Sequence, residues 1–464
     1  MIDLDASLDW KTFLGPAEAV FDAAGEKTRR LAARWEGMSG APVFTVEGRY
    51  TLRGWTEWTQ GFQVGNALLI YEAVKDPWFL EYGRAKTVRL MAPHLSHGGV
   101  HDHGFNNIST YGNLLRMAAE GTVAASSWEM DFYRLALKVS GAVQAARWTD
   151  LPGGLGYIHS FNGPHSLFAD TIRSLRSLAA AHALGHVLMS EQDRKISLLS
   201  RLLSHAETTA RFNVYFGEGR DTWDVSGRVA HESIFNVKSG AYRCPSSQQG
   251  YSPFSTWTRG LAWILLGYAE ELEYLSQVPA KEFESLGLPY FQDKDEVLKR
   301  FLKTAVAVAD FHIENTPVDG IPYWDTGAPN LHKLGAYLDR PADPFNRHEP
   351  VDSSAAAISA QGLLRLGLYL STLEEGAGGR YLAAAARTAG TLFAEPYLSR
   401  SPEHEGLLLH AVYHYPNGWD SAPGEDGIPR GESCMWGDYH LLELALCLRR
   451  LARGSRPQRF FDII

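Results

Sequence analysis

The sequence predicts an all-α fold, an (α/α)6 barrel in which six helical hairpins close as a double ring, with long loops and short strands on one rim. Three observations predict it. Apolar residues recur at helical spacing along most of the chain, strand signals are few, and short connections alternate with long aromatic ones. A bundle or a solenoid has similar periodicity, but no motif of roughly 30–45 residues repeats. The 464 residues read as one domain, 1–464, because no stretch has the composition of a linker.

Helices are expected at 16–36, 56–75, 78–93, 103–120, 124–147, 166–186, 190–213, 255–275, 293–314, 352–372, 378–395 and 434–452. The ninth is typical. Val297, Leu298, Phe301, Leu302, Ala305 and Val308 make one stripe, with Asp295, Lys299 and Lys303 elsewhere on the circumference. Long loops fall at 94–102, 148–165, 214–254, 315–351 and 396–433, with short connections at 186–190 and 372–378 between them. That alternation gathers the long loops on one rim, where function tends to reside. Segments 231–252 and 321–325 (IPYWD) are expected to add short strands there. The tail RGSRPQRFFDII is apolar at its end and is expected to dock on the body or on a partner.

Composition narrows the function classes. Hydrophobic residues are 45% and charged residues 21%, as in a soluble globular protein. A net charge of −9 argues against broad nucleic-acid binding, which needs a basic face. Aromatics reach 12%, with 13 Trp, which suits sugar stacking or a large apolar core. Cys244, Cys434 and Cys447 have neither a bridge framework nor metal spacing. The start MIDLDASLDW lacks the basic and apolar regions of a secretory signal, and no apolar run is long enough to span a membrane. The cytoplasm is the expected location.

The chemistry-bearing stretch runs from Gln249 to Glu270, QGYSPFSTWTRGLAWILLGYAE. A Gly/Ser/Pro loop turns into a helix, with Ser255 or Thr256 as the expected N-cap. Trp257, Arg259 and Trp263 follow within two turns, and Arg259 and Trp263 share a face. A guanidinium beside two indoles suits a ring-shaped ligand carrying a carboxylate. A buried Trp-Arg helix is the plain structural alternative.

Two aspartates stand at loop-to-helix junctions. HLSHGGVHDHGFNN (94–107) has four histidines near Asp102. His97 and His101 lie four apart as metal-ligand candidates, but Gly98-Gly99 breaks any helix that would align them. Asp102 reads either as the cap of the helix that follows or as a catalytic carboxylate. Asp170 is expected in the first turn of a helix capped by Ser166. A helix dipole there is worth about 0.3–1 kcal/mol and lowers its pKa, whereas desolvation and a neighbouring carboxylate raise it further.

At these residues the chain resembles the unsaturated glucuronyl hydrolases, glycoside hydrolase family 88. HDHGF (101–105) is similar to that family's HDLGF, and ADTIRSL (169–175) to its IDTMMNL helix. GRVAH (227–231), QGYSPFSTWTRGLAW (249–263), IPYWD (321–325), DSSAAAISAQGLLRL (352–366) and ESCMWGDYHLLELAL (432–446) follow in family order. The resemblance spans roughly 55–450 and implies an (α/α)6 barrel acting on 4,5-unsaturated uronic acids at the non-reducing end of polysaccharide-lyase products, glycosaminoglycan fragments among them. It implies Asp170 as general acid/base and Asp102 as the second essential carboxylate, which holds Asp170 protonated. It places His101, His231, Gln249, Trp257, Arg259, Trp263 and Trp58 around the sugar. In that picture Arg259 meets the uronate and Trp263 or Trp58 stacks on the ring, either role being exchangeable with His231 or Gln249. No cofactor and no metal are implied. The partner is an unsaturated oligosaccharide, with no nucleic acid and no membrane, and the chain is a monomer or homodimer.

The chain departs from the family at the pocket. Gln63 stands for a tryptophan, His103 for an aliphatic residue, Ser174 for an asparagine and Gln248 for a histidine. Pro253-Phe254 displace an acidic pair, and 215–225 enlarge a rim loop. Both aspartates are kept, so reaction type carries over better than substrate identity. Three alternatives stay open: the related unsaturated rhamnogalacturonyl hydrolases, acid/base hydrolysis of a saturated uronide, and a sugar-binding toroid without catalysis. In the loop 421–431, Arg430 is the one base that suits a sulfate. A shared site requires the two carboxylates to lie within about 10 Å of each other.

Overall fold

The computed structural model describes residues 1–4, 8–52 and 57–463. Among them, twelve long helices follow one another: α1 (Leu14–Arg34), α2 (Gln60–Val74), α3 (Pro77–Leu90), α4 (103–119), α5 (Ser127–Ala146), α6 (171–183), α7 (Leu198–Phe212), α8 (Thr258–Leu275), α9 (Lys294–Glu314), α10 (Ser353–Leu373), α11 (Gly379–Leu392) and α12 (Met435–Ala452). The even-numbered helices α2, α4, α6, α8, α10 and α12 form an inner ring. α7 and the other odd-numbered helices pack outside it. Each inner helix touches the next and α12 closes onto α2, which makes the fold an (α/α)6 barrel.

Sequence chemistry separates the rings. Every residue of α8 except Glu273 is buried, since an inner helix is covered on all sides. α9 buries only one stripe, containing Val297, Phe301, Ala305 and Val308. The inner helices approach through glycines. A Cβ on Gly104 of α4 would lie 2.1 Å from the Ser174 carbonyl oxygen of α6, and one on Gly61 of α2 would lie 2.4 Å from Asn106 Cα. Buried ion pairs cross the inner ring. Arg173 meets Glu270 and Glu443, each at 2.9 Å, and Arg365 meets Glu273 at 2.8 Å. Periodicity gives no warning of such charges, which persist in a core only because they are paired.

Nine short strands decorate the helices: β1 (Phe44–Val46), β2 (Arg49–Thr51), β3 (Trp148–Asp150), β4 (Gly156–Ile158), β5 (Ser166–Phe168), β6 (Val187–Met189), β7 (Lys195–Ser197), β8 (Glu232–Phe235) and β9 (Tyr242–Ser246). β5, β8 and β9 form an antiparallel sheet with Phe168 opposite Glu232. The strands expected within 231–252 are β8 and β9. Segment 321–325 makes only isolated bridges, Tyr323 to Val351 and Trp257 to Asp325.

Other boundaries differ from expectation. Ser166 lies in β5 and caps nothing, and the helix expected over 166–186 consists of Thr171–Ser174 and Arg176–Ala183. The helix expected from 190 begins at Leu198, because 187–197 is a hairpin turning through Gln192 and Asp193 at positive φ. Trp257, rather than Ser255 or Thr256, immediately precedes α8. α4 contains a π-helical turn, Ile108–Gly112. Thr56, the first residue of one expected helix, is outside the described residues. The tail docks on the body: Phe460, Phe461 and Ile463 are buried, with Phe461 5.5 Å from the ring of Tyr274. No helix among the described residues is long and apolar enough to cross a membrane.

Candidate active site

A cavity of about 240 Å³ opens among the loops at one end of the barrel. That lies near the small end of ligand sites and suits a short saccharide rather than a polymer. Asp102 and Asp170 both line it. Each occupies the position before a helix, and neither carboxylate caps that helix. Both therefore remain available, which removes the purely capping reading of Asp102.

Local pairing explains why these residues meet. The antiparallel match of β5 with β8 sets Ala169 against His231, whose carbonyl accepts from the Ala169 amide at 2.8 Å. That places the Asp170 turn beside His231. Ser174, one turn further, donates to the His101 carbonyl at 2.6 Å and accepts from the Gly104 amide at 2.9 Å. The side chain that replaces the expected asparagine thus clamps the Asp102 junction to the Asp170 helix.

His101 stands between the carboxylates. Its Nε2 is 3.7 Å from Asp102 and 3.6 Å from Asp170. With both anions this near one atom, the two carboxylates share a site. Burial opposes a charge on His101, but the two aspartates outweigh it and raise its pKa above 6.5. Burial raises the Asp102 carboxyl, and the Asp170 charge adds to that. Asp170 is desolvated too, yet His101 holds it below the usual carboxylate range. The shifts run in different directions: His101 and Asp102 are moved toward holding a proton, and Asp170 toward its anion.

His231 is buried behind the cavity and neutral, its pKa pushed down to about 4 mainly by desolvation. Its Nδ1 accepts from the Gln248 and Gln249 amides at 3.0 and 3.4 Å, so the remaining proton is on Nε2. Gln249, Trp257, Arg259, Trp263, Trp58 and His101 all line the cavity.

Arg259 requires a correction. The guanidinium is not free to meet a substrate carboxylate, because it is 2% exposed and engaged within the protein. It pairs with Asp352 at 3.0 Å, donates to the Val412 carbonyl, and reaches the Tyr413 carbonyl and Gln249 Oε1 at 2.7 Å each. Since Gln249 Oε1 accepts from Arg259, the amide nitrogen of Gln249 is the donor left for a ligand. Arg259 acts through Gln249.

Aromatic rings build one wall. Trp58 stacks on Trp436 at 5.0 Å, Trp436 meets Tyr413 at 5.0 Å, and Tyr413 meets Trp419 at 5.4 Å. Trp263 packs on Phe105 at 4.9 Å at the base. Sequence reasoning did not place Tyr413, His414, Asn417 and Trp419 at the site, nor Phe161 and His94. The only signal was compositional: AVYHYPNGW (411–419) concentrates aromatics and a histidine in a loop. No group of three or more metal-ligating side chains occurs among the described residues.

A helical toroid with two carboxylates at the foot of an aromatic cavity has the groups that a carbohydrate-active site of the (α/α)6 class requires. No protein-family model matches the chain. It is 26% identical over 445 residues to an unsaturated glucuronyl hydrolase of Bacillus sp. (strain GL1), covering 95% of this chain and 99% of that one. It is 24% identical over 389 residues to the enzyme of the same name from Formosa agariphila, covering 83% and 78%. The crystal structure of the Bacillus enzyme superposes with a TM-score of 0.69 over 96% of this chain and 98% of that one, at 24% identity. Over nearly its whole length the chain is thus similar to the unsaturated glucuronyl hydrolases in sequence, and it shares their fold.

Proposed function

We propose that the protein removes a 4,5-unsaturated uronic acid from the non-reducing end of lyase-generated oligosaccharides by hydrating its vinyl ether. The observation that carries this is the placement of Asp102 and Asp170 on either side of His101 Nε2 in an aromatic-walled cavity. In the substrate, C4=C5 is conjugated with the C5 carboxylate and bonded to the ring oxygen. A proton adds to C4, oxocarbenium character develops at C5, and water adds there while giving up its own proton. The C5 hemiketal opens to a ketone, and the hemiacetal left at C1 expels the remaining saccharide. One carboxyl that gives a proton and one that takes one suffice.

Asp170 is assigned the acid/base role. His101, 3.6 Å away, holds its carboxyl below the usual range and is the neighbour from which it takes its proton. An anionic ring entering the cavity displaces water and adds negative charge, and both effects push the Asp170 pKa up. Trp58 and Trp263 offer ring-sized apolar faces, while Gln249 offers a neutral N–H donor. The raised Asp102 carboxyl supports a second reading in which Asp102 gives the proton and Asp170 activates water. With this function go a single catalytic domain, a cytoplasmic location and a monomer or homodimer.

In deuterated water, with early sampling, the product should carry one deuterium at C4 while the near-ultraviolet absorbance of the substrate disappears. Turnover of a saturated uronide with C4 unlabelled would overturn hydration. Residual rates in Asp170→Asn and Asp102→Asn separate the two assignments. The variant that has lost the acid must take its proton from hydronium, so its rate should fall about tenfold per pH unit.

A further inference from the structure

We propose that Arg147 is a positioning residue for the acid pair, latching the loop that carries His101 and Asp102 to the loop that leads to Asp170 and setting the charge balance between them. This rests on the hydrolase reading above and adds to it a residue that does not line the cavity. Arg147 ends α5, its amide donating to the Gln144 carbonyl at 3.1 Å. The pairing of β3 with β4 sets His159 opposite it, and the His159 amide donates to the Arg147 carbonyl at 3.3 Å. From there the guanidinium forks. Nε donates to the His159 carbonyl at 2.6 Å, Nη2 to the Ser160 carbonyl at 2.5 Å and Nη1 to the Gly98 carbonyl at 2.9 Å. Ser160 precedes Phe161, whose ring stacks on His101 at 5.9 Å, and Gly98 lies just before His101 in its loop. One turn back on α5, Gln144 donates to the His101 carbonyl and to Ser174 Oγ, each at 2.9 Å. The last turn of an outer helix thus grips both junctions.

Backbone carbonyls alone take this guanidinium, and among the described residues Arg147 forms no ion pair with a carboxylate. A cation held by carbonyls keeps its net charge, and here that charge falls on the site. Asp102 is the acid that acts on Arg147, and Arg147 in turn favours the Asp102 anion and opposes the His101 imidazolium. His97 acts on Asp102 in the same sense. The other groups around His101 are Asp170 at the α6 junction, His159 after β4, His205 of α7 and His231 before β8. These three histidines are neutral, lowered mainly by desolvation to about 4, about 3 and about 4 respectively. Arg147 is therefore the fixed cation that opposes the His101 charge. A lysine supplies the same charge, but only the planar fork of an arginine spans carbonyls on two loops.

The test compares Arg147→Met and Arg147→Lys with the unaltered protein on an unsaturated uronate disaccharide. Arg147→Met should lower kcat by at least about tenfold with KM little changed, since small displacements of reacting groups carry losses of that size. It should also move the basic limb of kcat/KM upward by about 0.5 pH unit or more, because a charge opposing the His101 proton is gone. Arg147→Lys should return the limb to its original place while kcat stays reduced by about threefold or more, the fork being lost. The His101 imidazole, followed by NMR and assigned by its loss in His101→Gln, should titrate at higher pH in Arg147→Met and not in Arg147→Lys. A folded Arg147→Met with undiminished kcat, or with the His101 titration unmoved, would overturn the proposal. If Arg147→Met does not fold, Arg147→Lys decides: reduced kcat on an unmoved limb supports the latch, and full kcat sinks it. If the unaltered protein turns over no unsaturated uronide, the hydrolase reading fails. The NMR titration then decides this proposal by itself, an equal His101 pKa in Arg147→Met overturning it.

Discussion

Asp102 and Asp170 are alike in sequence context, each one residue before a helix, yet the structure sets them in opposite electrostatic states. The difference is His101. Both carboxyls are desolvated and both are favoured as anions by His101, but Asp170 also gains a side-chain hydrogen bond from it, while the Asp170 charge helps to leave Asp102 raised. A proton on His101 gives the site its transferable charge, and losing it leaves two bare carboxylates facing an anionic substrate. The kcat/KM profile should therefore fall on a basic limb above the ordinary histidine pKa of 6.5, because the carboxylates raise His101. Asp102→Asn removes one of those charges and should move that limb to lower pH, measured as kcat/KM against pH. An unmoved limb would mean that another group carries the proton. Arg259 makes a contrasting case. Arg259→Lys keeps a charge but loses the fork that reaches Asp352, two carbonyls and Gln249. Stability should fall toward the ~3–5 kcal/mol of a broken buried pair, and kcat/KM should fall with it. A variant that raises KM with an unchanged thermal midpoint would restore the carboxylate-reading role.

At the scale of elements, the site is a product of junctions. The Asp102 junction opens α4, the Asp170 junction opens α6, and Ser174 with Gly104 sets their spacing. Gly104 is required for close approach: a methyl there would sit 2.1 Å from the Ser174 oxygen. Gly104→Ala should cost about 1–3 kcal/mol or more as overpacking. It should lower kcat beyond what the lost folded fraction explains, because α4 must move away from α6 and carry Asp102 with it. Denaturant titration alongside kcat checks this. If kcat per folded molecule is unchanged, the clamp does not govern the acid pair. The β5–β8 pairing does similar work for His231. The sequence hides that pairing, since SLFAD reads as the first turn of a helix and only its partner strand makes it a strand.

For the whole molecule, ring closure explains the division of labour between the two ends. The cavity end carries the long loops, and 396–433 contribute the Val412 and Tyr413 carbonyls that anchor Arg259. The opposite end has a larger groove, about 690 Å³, whose walls include Leu368, Tyr369, Leu451 and Pro457 but no paired aspartates. Volume alone would point there. The acid pair, the amide donors and the aromatic wall converge at the other end, and function follows from that chemistry rather than from size. Between the two ends, the Arg173, Glu270, Glu443 and Arg365 pairs tie the inner helices together.

Local sequence determined what depends on neighbours along the chain. Stripes such as that of α9, the loop alternation, and the motifs around Asp102, Asp170 and Trp263 marked out the twelve helices, the barrel class and the family resemblance. Contacts between distant segments were decided only by tertiary structure. Arg259 looked free because nothing within its own helix pairs with it, and Asp352, Val412 and Tyr413 reach it from far along the chain. The protonation order was equally invisible, since desolvation and the geometry around His101 set it and neither is a property of residue spacing. Tyr413, His414 and Trp419 joined the site for the same reason: a loop without a motif enters a cavity only when the ring closes.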